Sequence, residues 1–96
     1  MKAIVVITDS EAVRDFEKGC LAAPGRGFTV IPRVWGAGRS GVRTGDRIHP
    51  GGSSLLFTVV PDTEVNSAVE CLKDCRDRTG VKDVTKIYVV PVEEIA

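Results

Sequence analysis

The stretch GAGRSGVRTGDRIHPGGS, residues 36–53, lies between two segments predicted as strands, residues 27–35 and 54–60. It contains six of the chain's ten glycines, three arginines and the only histidine. A run this long without hydrophobic periodicity is typical of a functional loop. Because glycine lets a ligand approach the backbone and arginine grips phosphate or carboxylate, the stretch predicts local recognition of an anion.

On each side of this stretch the sequence predicts a strand, a helix and a strand. Short apolar runs predict four strands, at residues 2–8, 27–35, 54–60 and 86–92. Val13, Phe16 and Cys20 follow helical spacing, as do apolar residues between Asp62 and Thr79. The order is the α+β ferredoxin-like βαββαβ pattern, a four-stranded antiparallel sheet with two helices on one face. We expect one such domain over residues 1–96.

Two features of the predicted strands bear on assembly. Pro32 and Pro91 lack the N–H that a central strand donates, so each is expected on an edge strand or at a bulge. The strands at residues 54–60 and 86–92 are apolar on both sides, although the helices cover only one face. The second face requires another layer, and a second copy of the chain is its simplest source. We therefore predict a homo-oligomer.

Composition excludes several classes of protein. The content of 43% hydrophobic and 27% charged residues fits a folded protein. Thirteen basic and thirteen acidic residues cancel, so general attraction to nucleic acid is not expected. The first apolar run, residues 3–7, is too short for a signal-peptide core or a membrane span, which predicts a cytoplasmic protein. In that setting Cys20, Cys71 and Cys75 are expected to be reduced thiols.

The segment from Gly36 to Gly41 matches G-x-G-x-x-G and follows a predicted strand. A dinucleotide fingerprint also requires a helix directly afterwards, and the sequence there predicts none. A phosphate cradle formed by backbone N–H groups and Arg39 is the functional alternative. A flexible loop with a solvated Arg39 is the structural one.

Other polar residues allow a structural and a functional interpretation. Arg43 and Arg47 would form a second anion grip, contact a partner protein or be solvated. His49 would bind a metal, respond to pH or play a structural role. Cys71 and Cys75, at i and i+4, fit core packing better than a metal pair because C-x-x-C spacing is absent. No arrangement of residues indicates catalysis, and we expect a protein that is not an enzyme.

Two stretches resemble the PII-like signal transduction proteins, the nitrogen regulatory protein PII family. GFTVIPRVWGAGRSG, residues 27–41, is similar to the family's second strand and the opening of its T-loop. TVVPDTEVNSAVECLKDCRDRTGVKDVTKIYVVPVEEI, residues 58–95, is similar to its third strand, second helix, B-loop and last strand. The chain resembles a variant with a short T-loop. The B-loop glycines of the family pattern GDGK are Asp83 and Thr85 here, whereas Lys86 is kept.

The resemblance implies a homotrimer that binds a small anionic effector at the clefts between subunits. The effector would be an adenine nucleotide, ADP, AMP or ATP. The ligand-binding residues implied are Thr29, Gly36, Gly38, Arg39, Ser40, Val59, Thr79, Gly80 and Lys86. The loop at residues 36–53, with Arg43, Arg47 and His49, would act on a regulated partner, a membrane transporter or an enzyme. For Lys86, the structural alternative is a cation placed near a helix C-terminus.

Two other functions remain open at this point. A metal-responsive module is one alternative, because related trimeric ferredoxin-like folds are associated with metal tolerance; His49 and the thiols would then bind a soft or borderline ion. An enzyme on this fold is the other, since a fold does not determine function.

Overall fold

A computed structural model of the chain describes residues 1–21, 27–34, 36–38, 41–43, 52–81 and 84–96. Four strands form one antiparallel sheet, namely β1 (Lys2–Asp9), β2 (Thr29–Val34), β5 (Ser53–Val60) and β6 (Lys86–Pro91). Their order is β2-β5-β1-β6, so β1 pairs with both β5 and β6. This sheet with its two helical segments confirms the predicted α+β ferredoxin-like fold.

Within the glycine-rich stretch, two short strands form a separate antiparallel hairpin. They are β3 (Gly36–Gly38) and β4 (Gly41–Arg43), with Gly38 opposite Gly41. The sequence predicted a functional loop over residues 36–53. Its first residues instead pair with each other, and Ser53 already belongs to β5.

The first helical segment changes its winding along its length. It consists of a 3-10 turn (Ser10–Ala12), helix α1 (Val13–Phe16) and a π-helical turn (Glu17–Leu21). Asp9 occupies the N-cap position without a side-chain capping bond. The predicted face is nevertheless the buried one, since Phe16 is 0% exposed and Cys20 is 4% exposed.

The second helical segment begins with a 3-10 turn (Asp62–Glu64) and continues as α2 (Val65–Arg78). Neither the 3-10 turn nor α2 has a side-chain capping bond at its N-cap residue, Pro61 or Glu64. Asp62 accepts a hydrogen bond of 2.7 Å from the N-terminal ammonium. This bond lowers the pKa of the exposed Asp62 carboxyl below its ordinary value.

The C-terminus of α2 is closed by Thr79 and Gly80. The Thr79 hydroxyl donates to the Cys75 carbonyl at 2.8 Å. Gly80 has φ 75°, and the next N–H, of Val81, donates to the Arg76 carbonyl at 3.3 Å. A positive φ followed by this six-to-one bond is the Schellman arrangement, which satisfies carbonyls that the helix leaves without partners.

The core lies between the sheet and the helices. Ile4 and Val6 of β1 and Leu56 of β5 are at most 1% exposed. Residues that pair directly across antiparallel strands point to the same side of the sheet, and Leu56 pairs with Val6. Phe16 and Leu72 cover this face from the two helical segments. Alternation along the strands therefore places every second residue on the opposite face.

That opposite face is apolar and exposed, and no described helix packs on it. Val5 pairs with Phe57 on one side and with Tyr88 on the other, so these three side chains share the face. Its more exposed members are Ile31 (46%), Val59 (44%), Tyr88 (51%) and Val90 (43%). We call this surface the open face. Its composition agrees with the expectation that another layer covers it.

Both predictions for the prolines are confirmed. Pro32 lies on the edge strand β2, where the register shifts between Ile31 and Val34. Arg33, within this irregularity, adopts φ 55°, which is uncommon for a residue other than glycine. Pro91 ends the other edge strand, β6.

The prediction of three reduced thiols is wrong. Cys20 and Cys71 form a disulfide between the π-helical turn and α2, with Cα atoms 5.9 Å apart. Cys75 is a free, buried cysteine, in agreement with the core-packing interpretation. The prediction rested on the odd number of cysteines and on an expected reducing compartment. Neither argument takes into account that the fold places Cys20 next to α2.

Replacement of Gly80 by alanine tests the C-cap of α2. A Cβ at this position would meet no atom within 4 Å, so its cost comes from the positive φ alone. We expect Gly80→Ala to lower the free energy of unfolding by about 1–2 kcal/mol. Chemical denaturation measures the change.

Gly27→Ala is the matched control, because its added Cβ also meets nothing within 4 Å and Gly27 has no positive φ. The two variants should therefore differ in stability. Equal stability of the two would contradict the assignment of the cap.

Candidate functional site

One end of the sheet gathers the segments that the sequence analysis marked as functional. At this end β1 finishes, β5 begins at Ser53, and β6 begins at Lys86. Val34, the last residue of β2, pairs with Ser53, so the glycine-rich stretch leaves and rejoins the sheet at this end. We call it the loop end of the sheet. The segment from α2 back to β6 also arrives here.

A row of hydroxyl groups crosses the loop end on the helix side of the sheet. The buried Thr8 and Thr85 hydroxyls are hydrogen-bonded at 2.7 Å. Thr8 pairs in register with Ser54, whose hydroxyl is 2.7 Å from that of Ser10. The Ser10 N–H in turn donates to the Gly52 carbonyl at 2.9 Å. Hydrogen bonds thus join the end of the glycine-rich stretch to Ser10, at the start of the first helical segment, and join Thr85, before β6, to the end of β1.

Lys86 follows this row directly. It pairs with Ile7 on β1 and is exposed, and its alternation with the buried Thr85 places it on the open face. The backbone before Lys86 is therefore fixed by a buried hydrogen bond, while its ammonium is free to reach a ligand or a neighbouring chain. This is the arrangement that a positioned cation requires.

Thr79 and Gly80 lie at the C-terminus of α2, on the chain path toward Lys86. Both have structural roles in the helix cap, as described above. Arg76 and Arg78 place positive charge in the last turn of this helix. The structural roles of Thr79 and Gly80 are thus shown, and the role of the two residues in ligand binding stays a prediction.

Thr29 and Val59 lie farther from the loop end. Thr29 pairs with Phe57 and Val59 pairs with Ala3, and both are exposed on the open face. Thr29 belongs to edge strand β2, whereas Lys86 belongs to the opposite edge strand β6. At roughly 4.8 Å between neighbouring strands, the two edges are about 14 Å apart. Within one subunit, Thr29 and Lys86 therefore lie on opposite edges of the sheet.

Several predicted residues are only partly described. Gly36, Gly38 and Arg43 belong to the backbone of the β3–β4 hairpin. Arg39, Ser40, Arg47 and His49 lie outside the described residues. The exclusion of a dinucleotide fingerprint is confirmed, because two strands of a hairpin occupy the G-x-G-x-x-G segment where a helix would have to begin.

Among the described residues, no group of three or more His, Cys, Asp or Glu side chains could hold a metal ion. Two of the three thiols that the metal-responsive alternative required are bonded to each other in the disulfide, so they are not available as metal ligands. Of the helices described, none is long and apolar enough to cross a membrane.

Comparison with protein families gives a match that spans the whole chain. The family model described as nitrogen regulatory protein P-II matches residues 1–96. The chain belongs to the nitrogen regulatory protein P-II family. The family resemblance seen in two stretches of the sequence is thereby confirmed over the full length. A comparison with curated proteins found no match for this P-II chain.

The sequence analysis missed the hydroxyl row of this P-II protein. Its members look unremarkable in the sequence, because Thr8 ends an apolar strand and Thr85 lies in a loop. A usable signal was present: Thr8 and Ser54 fall at positions where the alternation of β1 and β5 points toward the core. A hydroxyl at such a position requires a partner, and the partners are the hydroxyls of Thr85 for Thr8 and Ser10 for Ser54.

The Thr8–Thr85 pair can be tested with a double-mutant cycle. Thr85→Val leaves the buried Thr8 hydroxyl without its partner, which should lower the free energy of unfolding by about 1–3 kcal/mol. Removing both hydroxyls in Thr8→Val with Thr85→Val should cost less than the sum of the single changes. Denaturant unfolding of the four proteins measures the coupling.

Thr63→Val is the control, since Thr63 is an exposed threonine away from this row. It should be nearly neutral. Strictly additive effects of the Thr8 and Thr85 changes would mean that the hydroxyls do not depend on each other.

Proposed function

We propose that this P-II family member is a regulatory signalling protein that binds an adenine nucleotide between the subunits of a homotrimer. Membership of the family supports a regulatory role. The intersubunit location is supported by one observation, the sheet order. It places Thr29 and Lys86, two of the predicted ligand-binding residues, on opposite edges of the sheet.

The position of these residues on opposite edges is the main argument for a cleft that two subunits share. Thr29 and the start of the glycine-rich stretch belong to the β2 edge, whereas Lys86 belongs to the β6 edge. In a closed ring, a heterologous contact repeats the same pair of surfaces around the axis. We place the β2 edge of one subunit opposite the β6 edge of the next. Each cleft then receives one half of the site from each subunit.

The chemistry of the two halves suits a nucleotide phosphate. Glycine-rich backbone and Arg39 would supply N–H donors and a guanidinium from one subunit. Lys86 would supply an ammonium from the other. The effector would be ADP, AMP or ATP. The exposed Thr29 and Val59 provide polar and apolar contact surface on the same face.

The protein would signal through residues 36–53, which would contact its partner. Arg43, Arg47 and His49 would contact the regulated partner, a membrane transporter or an enzyme, when the bound nucleotide orders the stretch. The protein would act by binding and not by catalysis. A cytoplasmic location belongs to the proposal because adenine nucleotides are intracellular effectors.

The trimer is tested by placing a charge on the open face. Tyr88→Asp puts a carboxylate where Tyr88 packs beside Val5, and its burial in an interface would be costly. Val89→Asp is the matched control, because Val89 is the next residue, has similar exposure (43% against 51%) and pairs with Ile4 on the helix side.

Light scattering measures the mass of each protein in solution. Wild type and Val89→Asp should have three times the chain mass of 10.3 kDa, whereas Tyr88→Asp should dissociate toward the monomer. A wild-type monomer would refute the shared cleft.

The nucleotide site is tested by mixing subunits. Arg39→Ala and Lys86→Ala should each weaken binding of ADP, AMP or ATP by about 1.5–3 kcal/mol, which calorimetric titration measures. Lys73→Ala is the control, since Lys73 is exposed on α2 and its ammonium is 3.7 Å from a Glu70 carboxylate oxygen.

After exchange of subunits between the two defective proteins, a mixed trimer should regain about one intact cleft, formed by the unchanged halves of two neighbours. Recovery of tight sites is therefore expected. If the mixed trimers bind nucleotide no better than the two separate variants do, Arg39 and Lys86 do not belong to the same intersubunit site. If no nucleotide binds wild type, the choice of effector is wrong.

A further inference from the structure

The seam between the two helical segments contains all three cysteines of the chain. Cys20, in the π-helical turn, is bonded to Cys71 in the middle of α2. Cys75 lies one turn further along α2 and is fully buried. A Cβ on Gly19 would lie 4.0 Å from the Cys75 sulfur, so the backbone beside Cys20 also packs against this residue.

The seam accommodates Cys71 in an oxidised and in a reduced form. Its sulfur lies 3.5 Å from the Gly19 carbonyl oxygen. A disulfide sulfur carries no hydrogen, whereas a thiol at the same place can donate a weak hydrogen bond to that carbonyl. Reduction therefore leaves the Cys71 sulfur with an acceptor already in position.

Reactivity in the seam is expected to begin at Cys71. Cys71 is half-buried, whereas Cys20 is 4% exposed and Cys75 is 0% exposed. Cys71 is therefore the cysteine that a reagent in solution reaches first, and its thiolate is the reactive form.

We propose that Cys20 and Cys71 form a reversible disulfide, a site of redox modification that cross-links the two helical segments. The oxidant is a small disulfide of the glutathione type. The Cys71 thiolate attacks it, forms a mixed disulfide and releases one small thiolate. The Cys20 thiolate then attacks the Cys71 sulfur and releases the second.

The exchange is balanced in atoms and electrons. The protein loses two S–H bonds and gains one S–S bond, while the small disulfide accepts two electrons and two protons and becomes two thiols. Reduction is the reverse reaction. In a compartment rich in glutathione, disulfides are typically transient and serve redox sensing, which is consistent with a pair of this kind.

The cross-link encloses the part of the chain that carries the glycine-rich stretch. The two cysteines are 51 positions apart, and the segment between them includes β2, the hairpin and β5. Closing a loop of this length restricts the unfolded chain strongly. Oxidation should therefore stabilise the fold, and the state of the pair should be readable from thermal unfolding.

The test equilibrates the purified protein in a series of glutathione buffers, from fully reduced to fully oxidised. Free thiols are then alkylated, and tryptic peptides are analysed by mass spectrometry. Trypsin cleaves after Lys73 and so separates Cys71 from Cys75. The expected result is a graded transition in which Cys20 and Cys71 become linked while Cys75 remains a thiol.

Thermal unfolding of the same samples gives the second measurement. Oxidation should raise the Tm of wild type by about 10 °C or more. Cys75→Ala should keep this shift, whereas Cys20→Ala and Cys71→Ala should lose it. The peptide analysis of wild type does not depend on any variant being folded.

Three results would overturn the proposal. One is the absence of a Cys20–Cys71 link in the most oxidising buffer. Another is a link that persists in excess reduced glutathione, which would make it a permanent cross-link. The third is a link that involves Cys75.

Discussion

The position of β1 between two antiparallel partners is the constraint on which the structure depends. β1 pairs with β5 along its whole length and with β6 along most of its length. The first strand of the chain therefore connects a strand from the middle of the sequence to the last strand. Both helical segments then cover the same side, where Ile4 and Val6 are buried. The core, the open face and the loop end of the sheet all follow from this pairing.

Much of this architecture could be predicted from the sequence because it depends on periodicity and on proline. The spacing of Val13, Phe16 and Cys20 identified the buried side of a segment even though its winding changes from 3-10 to α to π. Pro32 marked an edge strand with an irregularity, since a missing N–H cannot be replaced in a central strand. These signals are local, because each depends only on residues that are close together in the sequence.

Features that depend on two distant residues could not be predicted in the same way. The Cys20–Cys71 disulfide and the Thr8–Thr85 hydrogen bond join residues 51 and 77 positions apart. Nothing in the sequence around either partner specifies the other one. The glycine-rich stretch illustrates a different limit, because its composition indicated anion recognition without indicating that its first residues form a hairpin.

The prolines on the two edge strands have a consequence for how this protein can associate with itself. A sheet edge with a full row of unpaired N–H and C=O groups acts as a template on which further strands add without limit. Here the Pro32 irregularity interrupts one edge and Pro91 terminates the other. Growth by strand addition is thereby disfavoured, which leaves the open face for the contact between copies that we propose. The chain can thus bury its open face against another copy while its sheet edges resist the repeated strand addition that builds fibres.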